Sequence, residues 1–182
     1  MGVLLSCATS GQAATAIFDG TNGSLDLNVP SGSVTVSGIT VTLSASDGTI
    51  NATASGLGIN DSSSGDNTSG LDTINTIEFL TLSFNVPVTF DSLSIGGVGS
   101  NDGLRVSFNG GAATELTSSG TTMFGDTLLV GQSMTITAFE PNAPTSNNGV
   151  SILSFSATQV PEPSTALLVM IALGMSVTAR RR

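Results

Sequence analysis

The 182 residues include no His, Lys, Trp or Tyr and one Cys, and ahead of Pro161 twelve acidic residues face a single cation, Arg105. Such a body repels nucleic acid and anionic membrane surfaces, and one Cys excludes an intrachain disulfide. Few side chains remain for acid–base or nucleophilic chemistry, so the composition points away from an enzyme.

The N-terminus, "MGVLLSCATSGQAATA", has a short apolar stretch and then small residues at the spacing a signal peptidase reads. A complete signal peptide carries a basic start and a longer apolar run, so residues 1–16 read as the remnant of a truncated signal peptide. "LLSC" gives a weaker match to a lipoprotein cleavage box at Cys7.

Residues 17–159 alternate apolar and polar positions in short runs. "SLDLNV" aligns Leu25, Leu27 and Val29; "SVTVSGITVTLSA" changes parity at Gly38, predicting a bulge or tight turn. Further runs align Ile50 with Ala52, Leu80 with Leu82 and Phe84, Leu104 with Val106 and Phe108, and Met134 with Ile136. "VTFDSLSI" and "VSILSFSAT" add two more. Turn signals separate them: Asp47-Gly48, Asn109-Gly110, Gly131-Gln132 and Asn148-Gly149. Nine or ten short strands of this kind predict an all-β fold, an antiparallel β-sandwich of jelly-roll-like form.

One polar loop, residues 58–78, holds Asp61, Asp66, Asp72 and Glu78 among Asn and Gly residues. Hard oxygen ligands on a flexible loop suit Ca²⁺, which makes these four the candidate metal ligands and Ca²⁺ the candidate cofactor. The competing reading is a solvated loop. Arg105 is expected to pair with a nearby acid such as Asp102 on an exposed sheet face.

The C-terminus differs from the rest. Pro161 and Pro163 flank Glu162 and hold the chain extended, outside any helix or central strand. Ser164 offers a helix cap, and an uninterrupted apolar run follows, including Ala166, Leu167, Leu168, Val169, Met170, Ile171, Ala172 and Leu173. As a single hydrophobic helix over residues 165–179 it spans ~22 Å, short of a ~30 Å hydrocarbon core. Arg180, Arg181 and Arg182 end it with the charge that stays on the cytoplasmic side.

A Pro-Glu-Pro, an apolar helix and a basic cluster, in that order at the C-terminus, resemble the PEP-CTERM sorting signal of exopolysaccharide-producing Gram-negative bacteria. The resemblance covers residues 160–182, about an eighth of the chain. It implies recognition of Pro161, Glu162 and Pro163 by an exosortase, a transient inner-membrane anchor, and release or re-anchoring of the body at the cell surface. It also implies a signal peptide. The 58–78 loop followed by "SNDGLRVSFNG" resembles domains found beside such tails, several of them lectin-like. The expectation is an exported, non-catalytic surface or matrix protein. A Ca²⁺-dependent module binding extracellular polysaccharide is the alternative, and a secreted glycosidase, which needs two convergent carboxylates, comes last.

Overall fold

The computed structural model describes residues 13–61, 70–73, 76–141 and 149–161. The chain divides into two units: a body, Ala14–Gln159, and a second unit, Met1–Ala13 with Val160–Arg182, of which only Ala13, Val160 and Pro161 are described.

The body contains twelve strands: β1 (Thr15–Asp19), β2 (Ser31–Val36), β3 (Ile39–Ala45), β4 (Thr49–Thr53), β5 (Gly56–Asn60), β6 (Phe79–Phe84), β7 (Val88–Gly96), β8 (Gly103–Phe108), β9 (Ala113–Leu116), β10 (Gly120–Leu128), β11 (Ser133–Phe139) and β12 (Ser151–Gln159). They form two antiparallel six-stranded sheets. The first runs β10-β7-β12-β5-β4, with β1 also on β12; the second runs β2-β3-β6-β11-β8-β9. From β5 onward the chain passes repeatedly between the sheets, so most strand neighbours are distant in sequence. The described residues contain no helix, and the expected C-terminal helix lies outside them.

Period-two alternation explains the sandwich. Val41 and Leu43 on β3, Leu80, Leu82 and Phe84 on β6, Met134 and Ile136 on β11, and Leu104 and Val106 on β8 all point inward and are buried. Phenylalanine rings join the two layers. Phe155 stacks on Phe18 at 4.8 Å and on Phe90 at 6.2 Å, all three in the first sheet. Phe18 then meets Phe84, and Phe90 meets Phe108, both across the interlayer gap, at 6.5 and 5.7 Å. Phe124 closes the cluster against Phe90 and Phe108.

The outer faces are hydroxyl-lined. One row crosses five strands of the second sheet: Ser31, Ser44, Thr81, Thr135 and Ser107 lie side by side by register. In the β2–β3 hairpin the facing hydroxyls bond directly, Ser33 to Thr42 and Thr35 to Thr40, each at 2.8 Å. The parity change at Gly38 is a two-residue turn: Ser37 and Gly38 both have positive φ, 50° and 81°, as a tight hairpin turn requires.

Three sequence expectations change. Residues 24–29 are not a strand, because Asn28 takes φ of 51° and breaks the extended run; Asn28 and Val29 instead bond to Ile50 of β4. β5, β9 and β10 were not expected, since Gly-rich or mostly exposed strands show no apolar alternation. β1 takes in Thr15 and Ala16, which places these two residues of the expected leader in the sheet, with Ala16 and Phe18 buried against the core. Just beyond β1, the Thr21 amide and hydroxyl both donate to Asp19 Oδ1, at 2.8 and 2.7 Å, and hold that carboxyl below its ordinary value.

Phe90 touches rings on both layers, so Phe90→Ala is expected to cost about 3–5 kcal/mol in chemical denaturation, whereas Phe79→Ala on the outer face costs less than about 1 kcal/mol.

Candidate functional site

Six of the eight phenylalanines make the interlayer cluster, and the other two, Phe79 and Phe139, flank one spot on the outer face of the second sheet. Register explains the place. Phe79 lies opposite Thr137, Thr137 opposite Arg105, and Arg105 opposite Glu115, so these four form a row across β6, β11, β8 and β9. Their inward neighbours, Leu80, Ala138, Leu104 and Leu116, are buried, which fixes the row on the solvent side.

Phe139 shares the outward parity of Thr137 yet is buried. Its ring fills the space over Gly103, where a Cβ would fall 2.6 Å from the ring edge. The ring is then the seat for Arg105, whose guanidinium carbon stands 4.3 Å from the ring centroid. Arg105 Nε and Nη2 both donate to Glu115 Oε1, at 3.0 and 2.8 Å. Both side chains are about half exposed, 49% and 51%, so the ion pair contributes at most about 1 kcal/mol to stability. Its work is orientation: it holds the guanidinium over the ring, with Nη1 making no hydrogen bond among the described residues.

The expected partner Asp102 is therefore replaced by Glu115. Asp102 lies just before β8 and is buried, where its Oδ2 accepts the Gly99 amide at 3.2 Å. Glu115 stands directly across the ladder on the same face.

Beside this row lies an open groove of about 460 Å³, lined by Thr73, Ile77, Arg105, Thr137, Ala138, Phe139 and Glu140. The Thr73 hydroxyl donates to Glu140 Oε1, tying the loop before β6 to the end of β11. Among the described residues the groove thus offers a guanidinium, one carboxylate, two hydroxyls and an apolar wall extended by exposed Ile77 and Phe79. Sequence reading singled out Arg105 alone of this set. The others come from two loops and two strands, and only the pairing of β11 with both β6 and β8 assembles them.

The loop carboxylates have a different arrangement. Asp72 and Glu78 are buried and close the loop on itself: the Asp72 amide donates to Glu78 Oε2 at 2.9 Å, and the Glu78 amide donates to the Asp72 carbonyl at 3.0 Å. Glu78 also receives the Ala138 amide on its carbonyl, which docks the loop to β11. Asp61 is half-buried just past β5, and Asp66 lies outside the described residues. Among the described residues no three acidic side chains converge to hold a metal ion.

Of the expected sorting residues, Pro161 is described, exposed and outside any strand. Glu162, Pro163, the apolar run at 166–173 and the arginines at 180–182 lie outside the described residues, and no described helix is long and apolar enough to cross a membrane.

The body is all-β, and the C-terminus carries a sorting signal that supports export. Residues 159–182 match the family model of the PEP-CTERM protein-sorting motif, so the chain is a PEP-CTERM sorting domain-containing protein, and the motif implies processing by an exosortase. No curated protein matches the chain.

Glu78→Ala leaves the buried Asp72 amide without its carboxylate acceptor and is expected to lower the unfolding free energy by about 1–3 kcal/mol in urea denaturation, while Glu78→Gln, which keeps an acceptor oxygen, loses less.

Proposed function

We propose that the β body is a non-catalytic module that recognises neutral polysaccharide at the cell surface or in the extracellular matrix, where its sorting signal delivers it. The observation that carries this reading is the groove at Arg105, Thr137 and Glu140. Adjacent hydroxyls of a sugar match the planar forks of a guanidinium and a carboxylate, each able to make two parallel hydrogen bonds. Ile77 and Phe79 supply an apolar wall for the C–H face of a sugar ring.

Charge decides between neutral and acidic glycans. Arg105 is already offset by Glu115, and the body ahead of Pro161 carries twelve acidic residues against this one arginine. A polyanionic glycan is repelled by that field, whereas a neutral one is not. The groove lining also favours binding over cleavage: among the described residues Glu140 is its one carboxylate, and glycoside hydrolysis requires a pair across the scissile bond. The Ca²⁺-dependent alternative, centred on Asp61, Asp66, Asp72 and Glu78, is separated by a chelator: groove binding survives it.

The sorting step rests on the tail. The apolar run is shorter than a stable span, which fits an anchor that is held until processing and then removed. Intact-mass measurement of the exported protein is expected to show a species lacking residues 167–182. A soluble exported product that retains them contradicts sorting by processing.

For the groove, calorimetry with neutral oligosaccharides from the producing strain is expected to show binding that Arg105→Ala weakens about tenfold or more, with unfolding free energy changed by less than about 1 kcal/mol. Equal binding by wild type and Arg105→Ala rejects the site.

A further inference from the structure

Five strands have an edge with no neighbouring strand among the described residues: β1, β2, β4, β9 and β10. Exposed edges invite pairing with other chains, and folded proteins usually blunt them. Four are blunted here. Residues 26–29 lie along β4: the Asn28 amide donates to Ile50 O at 2.9 Å, the Ile50 amide to Val29 O at 3.0 Å, and the Ala52 amide to Asp26 Oδ1 at 3.3 Å. β9 is four residues long and carries the ion-paired Glu115. β10 has a register shift between Met123 and Asp126 and bears that charge. β1 ends in Asp19 and packs beside β2.

β2 shares the contact with β1 but has none of the other devices. Its six residues, Ser-Gly-Ser-Val-Thr-Val, include no charge and no proline, and its register with β3 is unbroken from Ser31↔Ser44 to Val36↔Ile39. The two-residue turn fixes which backbone groups point outward. Val36, Val34 and Gly32 exchange bonds with β3, so the N–H and C=O groups of Ser31, Ser33 and Thr35 face away from the sheet.

We propose that β2 is a dimerisation edge, at which two copies of this chain pair antiparallel about Ser33 to make one continuous twelve-stranded sheet. The edge is complementary to itself. With Ser33 opposite Ser33 of the second copy, Ser31 falls opposite Thr35, and the three outward residues form about six N–H···O bonds. Their hydroxyls continue the rows already present on the outer face. On the inner face Val34 meets Gly32 of the second copy. Leu27 already occupies the space beneath Gly32, 2.9 Å from where a Cβ would stand, and extends the apolar strip that Val34 covers. Val34 and Val36, half-buried at the flank of the core, gain cover on both sides. Because β2 is, among the described residues, the one edge without charge, bulge or a chain segment hydrogen-bonded along it, the pairing closes as a two-fold dimer and does not propagate into a filament. Two acidic bodies repel, so salt strengthens the association.

The test uses the full chain in nonionic detergent, which occupies the apolar tail, with sedimentation velocity at about 50 and about 500 mM NaCl. The wild type is expected to be dimeric, more so at the higher salt. Ser33→Lys and Ser33→Glu, which place like charges against one another on the axis, each weaken the dimer about tenfold or more, and mixing the two variants restores it as a heterodimer. A wild type that is monomeric in both salts overturns the proposal, as do single variants that dimerise like the wild type. Amide hydrogen exchange on the unsubstituted chain gives a readout independent of any folding defect. The amides of Ser31, Ser33 and Thr35 slow as protein concentration rises; amides that exchange fast at every concentration overturn the proposal.

Discussion

Phe90 contacts Phe155 within its own sheet, Phe108 in the opposite one, and Phe124 on the edge strand β10. With Phe18 and Phe84 these rings weld the inner faces of the two sheets along one line. A chain without Trp or Tyr has no larger side chains to span a gap of about 10 Å between sheets, so it commits six of its eight phenylalanines there. Everything on the outside follows from that commitment. Once Leu80, Ile136, Leu104 and their neighbours are held inward by the rings, each alternate residue is forced outward, and the outward set is mostly Ser and Thr.

On such a hydroxyl surface a charged, aromatic spot needs its own support. Gly103 leaves a space, Phe139 fills it, Arg105 lies on Phe139, and Glu115 holds Arg105 in place. Each step depends on strand register, and a slip of one residue between β8 and β11 would send Arg105 into the core. The groove is thus a product of the same pairing that builds the core. Pairing through β2 would keep the outer faces of two such sheets on one side, and two grooves presented together raise avidity for a repeating polymer without any new contact.

Much of this was legible in the sequence. The alternation of Leu80, Leu82 and Phe84, or of Leu104, Val106 and Phe108, sets strand and face directly, and the Asn-Gly and Asp-Gly pairs mark turns. The tail was legible because its signal is local: two prolines, an apolar run and three arginines within some twenty residues. Arg105 stood out as the lone cation of the body. Its partner did not, because Asp102 is near in sequence but buried before β8 against the Gly99 amide, and Glu115 becomes a neighbour only through the β8–β9 ladder. Phe139 and Glu140 carry no sequence signal of their own, because they follow the apolar alternation of Met134 and Ile136 and meet Arg105 and Thr73 only through the fold. Glu78 stood out in the sequence for its charge on a polar loop, and the bond its carboxylate accepts from the Asp72 amide is visible only in the fold. Edge strands such as β10 escaped because exposure on most positions erases the apolar alternation on which strand reading depends.

The account stands on the groove being where polysaccharide sits, and amide and methyl NMR of the full chain titrated with neutral oligosaccharide from the producing strain tests this most directly. Shifts are expected to concentrate at Ile77, Arg105, Thr137 and Phe139 and to persist in a Ca²⁺ chelator. Shifts confined to the outer face of the other sheet, around Ser92, Ser154 and Ser156, or no shifts at saturating glycan, would contradict it.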